Sequence, residues 1–91
     1  MTKLFMFAAL VAGSASAYAA PLTTQMSCAA TRALVQSQGA VDLDTGFGVG
    51  RYVSGQWYCQ INEDQVPAWV PTADKAQCNI GYYCRAQVNG G

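Results

Sequence analysis

The chain contains no histidine, and only 11% of its 91 residues are charged. Without an imidazole, Ser–His and Cys–His nucleophilic catalysis are excluded, and the commonest metal ligand is missing. Five Lys/Arg residues against five Asp/Glu residues form no basic patch, so nucleic acid is not an expected partner. There is no C-x-x-C pair, which removes a thioredoxin-like centre and a haem-attachment motif, and a four-thiolate zinc site would want closer pairs. No metal and no cofactor is therefore expected. Leucine and isoleucine are sparse beyond position 20, so the aromatic side chains are expected to supply much of the core volume.

What is present begins with an export signal. Lys3 is followed by the apolar run Leu4–Ala12 and then by the small-residue stretch Gly13–Ala20, the three-part layout of a secretory signal peptide. The run is much shorter than the roughly 20 residues that span a bilayer as a helix. Two small-x-small sites are available, Ala15-Ser16-Ala17 and Ala17-Tyr18-Ala19. Cleavage after Ala19 is expected, because cleavage after Ala20 would leave Pro21 first and block processing. Residues 1–19 are thus read as a signal peptide and 20–91 as a single domain, periplasmic or extracellular and not membrane-spanning after processing.

A domain this small buries only about 60% of the surface its unfolded chain exposes, and needs help. Cys28, Cys59, Cys78 and Cys84 supply it as two expected disulfides. Four cysteines allow three pairings. The preferred one joins Cys28–Cys84, tying helix to last strand, with Cys59–Cys78 closing the loop around Trp69; the runner-up is Cys28–Cys59 with Cys78–Cys84.

Gln25–Gln38 reads as a helix capped by Ser27 or Thr24 and stopped by Gly39, preceded by a loose arm at Ala20–Gln25. Its apolar side is expected at Met26, Ala30, Ala33 and Leu34, with Cys28 and Val35. Val41 and Leu43 alternate with Asp42 and Asp44 as a half-buried strand, and Gly46–Gly50 is a flexible turn. Arg51–Val53 resumes the extended chain, and Gln56–Cys59 pairs back after a Ser54-Gly55 turn. Pro67 and Pro71 make Val66–Pro71 extended and edge-like, and Ile80–Ala86 is the last strand. The expected fold is α+β: one N-terminal helix on a small antiparallel sheet of three or four strands, stapled by two disulfides.

The cysteine before a short helix, Arg51-Tyr52-Val53, Val66-Pro67-Ala68-Trp69-Val70-Pro71-Thr72-Ala73-Asp74 and Cys78-x-x-Gly81-Tyr82-x-Cys84 together resemble a group of short, secreted, four-cysteine proteins of alphaproteobacteria. These blocks span Ser27 to Cys84, and Pro67–Thr72 is the most specific of them. The resemblance implies a compartment and a disulfide scaffold, and carries no activity. The glycine-rich Gly46–Gly50 loop departs from the group's pattern, so nothing is carried over to it.

Candidate functional residues are the aromatics. Adjacent residues on a strand face opposite sides, so Trp57 or Tyr58, and Tyr82 or Tyr83, should point outward. These four form the candidate binding surface, while Trp69 is expected to anchor the core. The leading function is a small exported, non-catalytic binding or interaction protein of the bacterial envelope, its partner an envelope protein or glycan. The alternative is a secreted protease inhibitor presenting the Val66–Thr72 loop, pre-organised by proline and a disulfide. A hydrolase built on Asp42 and Asp44 ranks third, because alternating aspartates on an exposed strand more simply keep an edge soluble. Glu63 and Asp64 read as a polar loop.

Overall fold

The computed structural model describes residues 19–87. All of the expected signal peptide except Ala19 lies outside them. Among the described residues no helix is long and apolar enough to cross a membrane. The described residues form one α-helix, α1 (Cys28–Gln38), and four strands, β1 (Ala40–Asp44), β2 (Val49–Val53), β3 (Glu63–Val70) and β4 (Cys78–Ala86). The strands make one antiparallel sheet in the order β1-β2-β4-β3. The α+β architecture expected from the sequence is the one observed.

Each end of α1 is closed by the residue chemistry expected there. The Ser27 hydroxyl accepts the Ala30 N–H at 3.0 Å, and the Gly39 N–H donates to the Val35 carbonyl at 2.8 Å. Gly39 holds φ 80°, the left-handed turn that releases the chain directly into β1. The buried side of α1 is Cys28, Thr31 and Val35, with Leu34 half-buried. Ala30 and Ala33, expected inside, are exposed. Thr31 replaces them because its hydroxyl donates to the Ser27 carbonyl at 2.8 Å, which removes the penalty of burying it.

The core between helix and sheet is Cys28, Val35, Leu43, Ala68, Val70, Cys78 and Ile80, flanked by Leu34, Val41 and Tyr52. It is largely aliphatic, contrary to the expected aromatic core. A bulge in β4 shapes it: Ala68 faces Gly81 and Trp69 faces Asn79, so Ile80 is the extra residue. Gly81 takes φ 131°, and a Cβ there would lie 2.7 Å from the Val53 carbonyl oxygen and 3.3 Å from Val35 Cγ1. A glycine is what allows β2 and α1 to close on β4.

The disulfides are Cys28–Cys78 and Cys59–Cys84, with Cα–Cα separations of 5.6 and 5.5 Å. This corrects both pairings ranked from the sequence. Cys28 starts α1 while Cys78 starts β4, so the two chain ends meet at one edge of the core; Cys84 lies six residues along β4 and is out of that reach. Cys59 instead meets Cys84 where the β2–β3 connection passes β4.

The N-terminal arm is not loose. The Asp44 N–H donates to the Pro21 carbonyl at 2.8 Å, and Leu22 bridges Asp44 in parallel. Thr23, fully buried, opens a 3-10 turn and donates to the Pro71 carbonyl at 2.8 Å. The Pro71–Gln77 segment is tied in turn to α1. Asp74 Oδ1 accepts the Cys28 N–H at 2.7 Å and the Thr72 hydroxyl at 3.0 Å, and the Ala73 N–H donates to the Met26 carbonyl. Those bonds to Cys28 and then Thr72 hold the Asp74 carboxyl below its usual range. A carboxylate at the helix start also meets the positive end of the helix dipole.

β3 is an edge strand, as its prolines implied. The Gln56 carboxamide donates to the Glu63 carbonyl at 2.8 Å and accepts the Gln65 N–H at 2.9 Å. Residues 63 and 65 therefore direct their backbone groups away from β4, and by alternation so does Pro67. Its missing N–H costs no ladder bond.

Candidate functional site

β2 and β4 are in register at Val53 opposite Tyr82. Beyond that pair, towards Gly50 on one strand and Cys84 on the other, the strands are no longer paired. The gap is a half-open cleft of about 690 Å³ lined by Gly50, Arg51, Tyr52, Tyr58, Gln60, Glu63, Tyr83 and Cys84. That volume falls within the range of roughly 300–1,000 Å³ usual for small-ligand sites.

Each wall has a local cause. Gly50 leaves room for its neighbour: a Cβ there would sit 3.2 Å from the Tyr52 hydroxyl oxygen. Tyr52 packs against the core with its ring and is pushed to a higher pKa by burial, then by the neighbouring Tyr83 phenol. The third wall is the β2–β3 connection. Its 3-10 turn Gln56–Tyr58 is held by the Gln56 amide on β3, by Cys59–Cys84, and by Tyr58 packed against Gly39, where a Cβ would overlap the tyrosine hydroxyl. The Glu63 carboxylate closes the following turn by accepting the Gln60 N–H at 2.9 Å through Oε1.

Of the four aromatics expected to form a surface, Tyr58 and Tyr83 line this cleft. Trp57 is 79% exposed and sits beside it, its ring centroid 6.2 Å from that of Tyr58. Tyr82 faces the other side of the sheet, opposite Val53 and Pro67, and is not in the cleft lining. Trp57 and Tyr58 lie in a turn and not in a strand, so strand alternation does not separate them. Trp69, expected as the core anchor, is 60% exposed. The bulge keeps Val70 and Ala68 on the helix side, and Trp69 opposite Asn79 is left on the uncovered face.

Val66–Val70 belongs to β3, with Val70 buried, and Thr72 is buried too. The segment is a strand and its continuation, not a protruding loop, and no Cys59–Cys78 bond closes it. Asp42 accepts from Arg51 Nε at 3.2 Å, and Asp44 accepts the Gly46 N–H at 2.8 Å in the hairpin turn. Neither lines the cleft. The side-chain ligand atoms of Cys59, Glu63 and Cys84 lie within 4.8 Å of one another, but the two sulfurs are a disulfide and offer no thiolate.

Of the other lining residues, Arg51 and Gln60 carried no expectation from the sequence, Tyr52 was only one of the aromatics, and Glu63 was read as part of a polar loop whereas it begins β3. The Cys59–Cys84 bond brings Gln60 and Glu63 to the cleft that Tyr83 lines, a pairing the sequence did not give. Compared with family models, curated proteins and solved structures, the chain gives no match.

Proposed function

We propose that the chain is a small exported, non-catalytic binding module of the bacterial envelope, whose ligand site is the cleft between β2 and β4. The observation that carries this reading is the cleft itself, in which Tyr52, Tyr58 and Tyr83 converge with Gln60, Glu63 and Arg51. Tyrosine offers a rigid apolar ring and a polar tip, which suits recognition of ligands that are neither wholly apolar nor charged. Two disulfides are compatible with an oxidising, exported location, and the Leu4–Ala12 run with its small-residue sites supports removal of residues 1–19. The absence of histidine and the engagement of Asp42 and Asp44 in local pairs support a binding role over a catalytic one.

The test uses the oxidised protein, isotope-labelled and recovered after export, titrated with fractionated envelope extract. Amide shifts confined to Gly50–Tyr52, Gln60 and Tyr83, and abolished in Tyr83→Ala, are expected. Absence of any saturable shift at these residues would remove the reading. N-terminal sequencing of the recovered protein should begin at Ala20.

A further inference from the structure

We infer that the cleft between β2 and β4 takes a short, uncharged saccharide, held by its C–H faces on the tyrosine rings and by its hydroxyls on the polar rim. The inference rests on the binding reading above and narrows its ligand.

The lining excludes other chemistries one at a time. Among the described residues no Leu, Ile, Val, Met or Phe lines the cleft, so these offer no aliphatic wall to an acyl chain. Among the described residues Arg51 is its one cation, with its Nε bonded to Asp42 at 3.2 Å, while Glu63 supplies an opposing carboxylate. Phosphate or polyanion recognition wants several converging cations, and a single arginine between two carboxylates does not supply them. Glu63 alone remains for a metal once Cys59 and Cys84 are bonded to each other.

What remains is suited to hydroxyl groups. Each tyrosine hydroxyl both donates and accepts, and the Gln60 carboxamide does the same. Glu63 uses Oε1 on the Gln60 N–H, which leaves Oε2 as an acceptor on the rim. Trp57, exposed and 6.2 Å from Tyr58, extends the aromatic surface past the mouth of the cleft, where a second sugar ring would lie. Aromatic rings alternating with planar polar side chains, at no net charge, match a polyhydroxylated ring with apolar C–H patches on its faces.

The experiment titrates the oxidised, exported chain with chitotetraose, an uncharged sugar oligomer, and in parallel with an uncharged extended peptide. Binding is followed by amide shifts and by Trp57 fluorescence in a Trp69→Phe background. Chitotetraose is expected to shift Gly50, Tyr52, Gln60 and Tyr83 saturably. Tyr83→Ala should weaken binding about tenfold, as for truncation of an aromatic anchor. Because Tyr83 belongs to β4, Gln60→Ala is the second variant; its exposed side chain holds nothing in the fold, and its loss should weaken binding about three- to tenfold. Phe47→Ala, at the distant hairpin tip, should leave binding unchanged. Saturable peptide binding in the cleft with no response to sugar would overturn the saccharide inference and leave the binding module standing. Sugar-induced shifts at Trp69 or Phe47 without shifts in the cleft would also overturn it. If neither probe nor envelope extract perturbs the cleft, both readings fall.

Discussion

Several residues here sit where two elements meet, and their substitution should be felt at both. Asp74 is one: its carboxylate joins the Pro71–Gln77 segment to the first N–H of α1. Its folded pKa lies below the unfolded value of about 3.9, so its contribution is present above that pH and is lost as pH falls through the folded value. Asp74→Ala should therefore melt at a lower temperature than the parent at neutral pH, the difference narrowing below about pH 4. A gap that stayed constant into acid would assign the effect to packing and not to charge. Gly81 is another. Alanine there must adopt φ 131° and meet the Val53 carbonyl, so Gly81→Ala should cost at least about 1–3 kcal/mol in urea denaturation. Gly39→Ala would displace Tyr58 and should disturb the cleft as well as the helix end.

At the level of elements, the two sheet edges are closed by different devices. Pro21 and Leu22 cover the end of β1 at Asp44, and on β3 the Gln56 carboxamide takes the place of a neighbouring strand while Pro67 removes the next donor. An uncovered edge is a template for pairing with another chain. Gln56→Ala should lose about 1–2 kcal/mol, the worth of two neutral hydrogen bonds at an exposed edge. Its more specific signature is faster hydrogen exchange at the Gln65 amide with no change at Val66, whose groups point to β4. Equal acceleration at both positions would mean that β3 itself had loosened.

Across the whole molecule, the two disulfides divide the labour. Cys28–Cys78 is nearly inaccessible, its residues 5% and 1% exposed, and sits in the core; Cys59–Cys84 is half-buried and borders the cleft. Mild thiol reductant should open Cys59–Cys84 first, detected by alkylation of Cys59 and Cys84 before Cys28 and Cys78. Ligand binding should weaken in that partly reduced state while the fold persists, since Tyr58, Gln60 and Glu63 lose their covalent tie. Replacing both Cys28 and Cys78 by alanine should instead cost about 2–5 kcal/mol of global stability.

Local chemistry written along the chain was enough to settle the helix and its Gly39 end, to narrow its cap to Ser27 or Thr24, and to show the alternation of Val41 and Leu43, the edge character of the Pro67 strand and the presence of two disulfides, because caps, periodicity and proline geometry act over a few residues. Which cysteines pair, which face Trp69 occupies and that Tyr52, Tyr58 and Tyr83 line one cleft were decided only in three dimensions. The bulge at Ile80 shifts which residues of β4 face the helix, and the strand order β1-β2-β4-β3 brings together residues far apart in sequence. A one-residue slip turns side chains to the opposite face, and no local propensity announces it. The cleft is the product of that long-range geometry: β2 and β4 pair at Val53 and Tyr82 and not beyond, and the Cys59–Cys84 bond brings in a third wall.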